Sequence, residues 1–149
     1  MDPLSVSASI IALLQMTSKV IKYINDVKGF SSERKGFIIE LNGINIVLIQ
    51  LQSSAEEAEQ AAELGEVDGW SDSLKSLNRP DGPLKLLEQT LRTLQTRLAP
   101  TQGVKSVKKA LTWPFQKDEA KELIATIERQ KTLLNMARQN DHMYSLLNI

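Results

Sequence analysis

Residues 2–27 decide the fold, and they read DPLSVSASIIALLQMTSKVIKYINDV. Asp2 and Pro3 are typical of a helix start, because a capping acceptor precedes a residue already fixed at helical φ. Lys28 and Gly29 predict the end of the helix. Between them, apolar or small residues recur every three or four positions, which places them on one face. These residues are Val6, Ile10, Leu13, Thr17, Val20, Ile24 and Val27.

Three further segments carry helical periodicity. A second helix is predicted from Ser31 to about Leu64 and Gly65. It is apolar on two opposite sides, so we expect it to be central, surrounded by other helices or by lipid. The second side is formed by Ile38, Ile39, Ile46 and Ile49. After a predicted short helix at residues 70–77, the Pro- and Gly-containing stretch 78–83 breaks the chain. A leucine-rich helix then covers 84–98, and the last long helix starts before residue 120 and is predicted to end near 140–141.

These segments predict an all-α fold, since stacking helices is the simplest way to bury such apolar stripes. We expect a four- to five-helix bundle of mostly antiparallel long helices with one or two short connecting helices. The chain has 149 residues, which suits one domain. The bundle is predicted to occupy residues 1–141, with 142–149 as a C-terminal tail or the start of a linker.

The composition argues against an enzyme. The chain has no cysteine and a single histidine, His142, so thiolate chemistry is excluded and metal or acid–base sites have few donors. Phosphate-binding glycine loops, zinc motifs and calcium loops are absent from the sequence. We therefore expect no catalytic residues, no cofactor and no bound metal. The 18 basic and 18 acidic residues cancel, which argues against binding to nucleic acid.

The charges are unevenly distributed along the chain. Residues 1–75 carry 6 basic and 11 acidic side chains, whereas residues 76–149 carry 12 basic and 7 acidic ones. The favoured interpretation is that the two halves pair within one bundle, with solvated charged faces. The alternative is association between molecules. Its candidates are the acidic residues of the second helix, namely Glu56, Glu57, Glu59 and Glu63.

The N-terminal segment has a surplus of apolar residues. No charged residue occurs from Pro3 to Ser18, and a helix of this length reaches about 24 Å, short of the roughly 30 Å hydrocarbon layer. Either the helix is simply buried in the bundle, or it is released on activation and inserts into a bilayer. The candidates for insertion are Leu4, Val6, Ile10, Ile11, Leu13 and Leu14.

A second candidate surface combines lysines with aromatic residues. Lys105, Lys108 and Lys109 precede Trp113, and such a group suits anionic lipid headgroups. The competing and favoured interpretation is structural. It expects Trp113 and Phe115 to close one end of the bundle.

Four stretches of the chain carry a resemblance to a known family. Residues 1–15 read MDPLSVSASIIALLQ; residues 74–77 read LKSL before Gly82-Pro83-Leu84; residues 111–115 read LTWPF; and residues 139–142 read QNDH. In this order they closely resemble the N-terminal domain of fungal NOD-like (STAND) proteins, which is grouped with the HeLo-like helical bundles.

The resemblance implies a cell-death effector domain of fungal innate immunity or heterokaryon incompatibility. In larger members such a domain precedes a NACHT or NB-ARC nucleotide-binding module and repeats. The domain would be cytoplasmic and relocate to the plasma membrane on activation, with anionic lipids and further copies of itself as partners. The first helix has no acidic ring, so simple permeabilisation fits better than a cation-selective channel. The alternative function is a protein–protein interaction module, for docking or self-association, without membrane activity.

Overall fold

The computed structural model describes residues 3–27, 32–65, 72–99 and 113–147. Within them the chain forms five helices and no β-strand, which confirms the predicted all-α bundle. The helices are α1 (Pro3–Asp26), α2 (Ser32–Glu63), α3 (Asp72–Leu77), α4 (Pro83–Leu98) and α5 (Lys117–Leu147). Lys28, Gly29, Trp70 and the lysine segment 105–109 lie outside the described residues.

The four long helices form a ring. Helix α1 packs against α2 and α4, and α5 packs against the same two, while α3 lies against α5 and α1. Arg34 donates to the carbonyl of Asn25 at 2.7 Å, which joins the end of α1 to the start of α2. Helices α1 and α2 are therefore antiparallel.

The remaining directions follow from contacts between helices. Gly36 lies against Ile124 and Gly43 against Lys131, so α2 and α5 run parallel. Near the C-terminal end of α4, Arg97 pairs with Glu119 at the start of α5, which makes these two helices antiparallel. Each long helix is thus antiparallel to the next long helix along the chain. Because α1 and α4 are both antiparallel to α2, they run parallel to each other.

The core contains mainly aliphatic side chains from every helix, as expected for a chain with only 5% aromatic residues. The predicted stripe of α1 is buried from Val6 to Val27. Its one polar member, Thr17, is fully buried and donates to the Leu13 carbonyl at 2.7 Å, so its hydroxyl is satisfied within the helix. The leucines of α4 buried in the same core are Leu84, Leu87, Leu91, Leu94 and Leu98.

The prediction that α2 is central is wrong. Ile39, Ile46 and Ile49 are 64%, 59% and 54% exposed, whereas Phe37 and Leu41 on the opposite side are fully buried. A ring of four helices has no central position, so each helix buries only the side that faces the ring axis and its two neighbours. The second apolar side of α2 consequently faces solvent.

The predicted end of the last helix is also wrong, because α5 continues to Leu147. No glycine or proline follows Asn140, so nothing in the backbone stops the helix there. Asp141 is only 7% exposed and remains packed on the bundle. The division of the chain into a bundle at 1–141 and a tail stays a prediction. The end of α2 is as predicted, with Gly65 at φ +74°.

Gly82 is required by the turn before α4. A β-carbon there would lie 2.7 Å from the Ser76 carbonyl oxygen and 2.8 Å from that of Leu77. These oxygens belong to the backbone and cannot move aside. By contrast, a β-carbon at Gly43 would meet the flexible Lys131 side chain.

We therefore expect Gly82→Ala to lower the free energy of unfolding by about 1–3 kcal/mol through overpacking. Gly43→Ala is the control, since it gains helix propensity of up to about 1 kcal/mol and should leave stability equal or higher. Urea unfolding followed by circular dichroism measures both variants. Equal stability of the Gly82 variant and the wild type would contradict the tight-turn interpretation.

Candidate membrane and interaction surfaces

The predicted insertion residues of α1 are divided between the core and the surface. Val6, Ile10 and Leu13 are buried in the core, and Leu14 is half-buried. Ile11 is 40% exposed. The side chain of Leu4 lies outside the described residues, although α1 includes its backbone. The structure therefore leaves part of the apolar surplus of α1 on the outer side of the bundle.

The outer side of α1 is uncharged over about three turns. Its exposed residues from position 8 to position 18 are Ala8, Ile11, Ala12, Gln15 and Ser18. The first exposed charges on the helix are Lys19 and Lys22, which follow directly. This surface can contact an apolar medium without burying an ionised group. Burying an ionised group is the largest free-energy cost of entering an apolar medium.

Small side chains leave a groove between α1 and α4. The groove has a volume of about 300 Å³, and Ala8, Ala12 and Met16 form part of its α1 side. Across it, Glu88 pairs with Arg92 at 2.8 Å. The hydrogen bond from Arg92 lowers the pKa of the Glu88 carboxyl below its usual value. The groove shows that the first half of α1 does not interdigitate fully with α4.

One polar contact holds α1 at this groove. The Ser9 hydroxyl donates to Oδ1 of Asn78 at 3.3 Å, in the segment between α3 and α4. A hydrogen bond of this length between partly buried groups contributes only modestly to stability. The two side chains nevertheless show where the first half of α1 meets the segment between α3 and α4.

Trp113 belongs to an aromatic cluster. Its ring centroid is 5.7 Å from that of Phe37 and 5.3 Å from that of Phe115. Phe37 and Phe115 are 5.5 Å apart, and both are buried. The structure thus places Trp113 and Phe115 as the favoured structural interpretation expects, packed at the N-terminal end of α2. The lysines Lys105, Lys108 and Lys109 lie outside the described residues, so their role as lipid contacts stays a prediction.

Arg97 holds this corner together, and the sequence reasoning missed it. Its guanidinium lies 4.6 Å above the ring of Phe115 and donates to the Pro114 carbonyl at 2.7 Å. It also pairs with Glu119 at 2.7 Å. This hydrogen bond holds the pKa of the Glu119 carboxyl below its usual value. The only signal in the sequence is a basic residue in the last turn of a helix, which usually has no tertiary role.

The acidic candidates lie toward the C-terminal end of α2. Glu56, Glu57 and Glu63 are exposed, and none of them forms an ion pair with a described residue. Glu59 is half-buried. The two halves of the chain are joined by the pair of Lys131 with Glu40, at 2.8 Å. Glu56 accepts a hydrogen bond from Gln52 of the same helix at 3.1 Å. The structure therefore leaves Glu56, Glu57 and Glu63, but not Glu59, exposed at this end of α2.

The exposed isoleucines of α2 form an apolar surface that the site predictions omitted. The sequence predicts Ile39, Ile46 and Ile49 as part of a second apolar side covered by other helices or by lipid, and the structure leaves all three exposed. Among the described helices, α2 alone is long and apolar enough to cross a membrane by length and composition, and 33% of that apolar stretch is buried. Core helices pass the same test. Helix α5 also carries exposed apolar residues, namely Leu133, Met136, Met143, Leu146 and Leu147.

Comparison with protein-family models, with curated proteins and with solved structures gives no match for this chain. The resemblance to HeLo-like domains of fungal NOD-like proteins therefore stays a prediction.

We expect Arg97→Met to raise the pKa of Glu119 toward its ordinary value, because the hydrogen bond that stabilises the carboxylate is removed. The folded-state pKa of Glu119 is lowered, so the stabilising effect of the pair is present at neutral pH. It is lost as the pH falls through that pKa. Carboxyl titration by NMR measures the change. Arg92→Met is the control and should raise the pKa of Glu88 alone. An unchanged pKa of Glu119 in Arg97→Met would contradict the role of Arg97 in stabilising that carboxylate.

Proposed function

We propose that this chain is a cell-death effector bundle of the fungal NOD-like type, which acts by oligomerisation and membrane permeabilisation through α1. The observation that carries the proposal is the uncharged outer side of α1 with Ile11 exposed on it. The family resemblance supports the biological setting, namely innate immunity or heterokaryon incompatibility. We propose that the domain is cytoplasmic and relocates to the plasma membrane.

Insertion requires that α1 leave the bundle. Val6, Ile10 and Leu13 are part of the core, and exposing each of them to water costs about 1.5–3 kcal/mol. Together they approach the whole stability of an ordinary domain, about 5–15 kcal/mol. The folded bundle is accordingly the resting state. A bilayer offsets this cost, because the released side chains enter another apolar medium.

Charge supports the direction of insertion. Lys19 and Lys22 are exposed directly after the uncharged segment. Cations at this point meet anionic headgroups when the residues before them enter the hydrocarbon. Lys105, Lys108 and Lys109 are proposed as accessory lipid contacts. In a longer protein, downstream nucleotide-binding and repeat domains would control the release.

A second function is favoured by α2. Its exposed isoleucines, together with exposed glutamates that form no ion pair with a described residue, suit a protein–protein interaction module without membrane activity. The two functions differ in the helix that carries them, so variants of α1 and α2 separate them.

We expect the chain to release dye from anionic vesicles, and Ile11→Glu to reduce this leakage at least tenfold. The new carboxylate would have to enter the hydrocarbon, whereas in the folded bundle it stays at the surface. Met136→Glu on α5 is the matched control, since it places the same charge at an exposed apolar position away from α1. Equal leakage from all three proteins would reject α1 as the inserting helix, and no leakage at any dose would reject membrane activity.

Locking α1 should also prevent leakage. The chain has no cysteine, so Ser9→Cys with Asn78→Cys introduces the only two thiols, at positions whose side chains already touch. We expect the oxidised variant to leave vesicles intact and the reduced variant to release dye, with disulfide formation confirmed by a free-thiol assay. Equal leakage in both redox states would show that α1 does not need to leave the bundle.

A further inference from the structure

The exposed side of α2 has the spacing of a coiled-coil seam. Its surface positions Ile39, Asn42, Ile46, Ile49 and Ser53 alternate intervals of three and four residues. This is the spacing of the a and d positions that face a partner helix. The three isoleucines among them are all more than half exposed. The pattern is thus present on the folded surface, where no described helix of this chain covers it.

Opposite charges lie at the two ends of this seam. Lys35 and Glu57 are each eleven residues from Ile46, about three helical turns in either direction, so both lie close to the line of the seam. Lys35, Glu56 and Glu57 are all exposed. Along about 33 Å of helix, this surface therefore carries a cation at one end, isoleucines at its centre and carboxylates at the other end.

We propose that α2 pairs with α2 of a second copy of this chain, antiparallel, about a twofold axis near Ile46. A twofold axis brings the same surface of both copies together, so the surface must be complementary to itself in the reversed direction. Here the reversal places Lys35 opposite Glu57 of the other copy at both ends. Ile46 then meets its own equivalent, and Ile39 lies beside Ser53 of the other copy.

The charges favour an antiparallel second copy over a parallel second copy or a bilayer. A parallel pair would set Lys35 against Lys35 and Glu56 against Glu56, and like charges in such positions are destabilising. A bilayer would have to accept the exposed carboxylates of Glu56 and Glu57 beside the isoleucines, and anionic headgroups repel them. A second copy instead supplies a cation for each acidic end.

The contact is one helix pair and is smaller than the roughly 1,600 Å² of a standard stable interface. We therefore expect a weak dimer, with a dissociation constant in the micromolar range, which forms at raised local concentration. The pairing does not require membrane insertion, because it uses α2 and leaves α1 in the bundle.

Analytical ultracentrifugation across a concentration series tests the pairing. We expect a reversible monomer–dimer equilibrium for the wild type, and at least a tenfold weaker dimer for Ile46→Glu, which places two carboxylates at the axis. Circular dichroism should show the same helix content for both, since Ile46 is exposed. Ile11→Glu should dimerise like the wild type, so the pairing and the membrane proposal fail separately.

Disulfide cross-linking tests the direction. Because the chain has no cysteine, each introduced thiol is unique. Under mild oxidation, Ile46→Cys should form covalent dimers, and Lys35→Cys should cross-link to Glu57→Cys when the two proteins are mixed. Lys35→Cys alone should remain monomeric. Efficient cross-linking of Lys35→Cys with itself would overturn the antiparallel arrangement.

Three results would overturn the proposal as a whole. The first is a wild type that stays monomeric at every concentration. The second is a dimer that Ile46→Glu leaves unchanged. The third is a monomer whose free energy of unfolding falls in Ile46→Glu. Such a loss would mean that residues of the same chain already cover the isoleucines.

Discussion

The structure depends on one geometric constraint, which is that a ring of four helices gives each helix a single side to bury. Helix α4 fits the constraint closely, since five of its six leucines are buried on one side and Leu86 alone is 38% exposed. Helices α1, α2 and α5 exceed it, because apolar residues of each continue onto the surface. The core is complete without Ile11, Ile39, Ile46 and Ile49. These side chains are therefore a surplus that folding of the bundle does not explain.

The surplus surfaces of α1 and α2 differ in their chemical surroundings. On α1, Ile11 lies among small and uncharged residues and is followed by lysines, which suits contact with anionic lipid. On α2, the isoleucines lie between Lys35 and a group of glutamates, which suits a partner of matching charge pattern. The two proposals therefore use different helices, since α2 would pair with a second copy while α1 stays available for a membrane. Oligomerisation would raise the local number of α1 helices at one site.

The helices and the core could be predicted from the sequence because periodicity reports which residues share a side. The burial of Val6, Ile10 and Leu13 follows directly from their spacing. Periodicity does not report which of two apolar sides faces the interior, so α2 was expected to be central. It also does not reveal contacts between distant residues, such as Arg97 with Pro114 and Glu119. The end of α5 was mispredicted because Asn140 is a weak helix breaker when no glycine or proline follows.

The most direct measurement of the role of α1 is the environment of residue 11 at a membrane. An environment-sensitive fluorophore on Ile11→Cys should shift to shorter wavelength when anionic vesicles are added and become protected from an aqueous quencher. The same fluorophore on Met136→Cys should remain accessible. A probe at position 11 that stays quenchable while the protein is bound to vesicles would contradict insertion of α1.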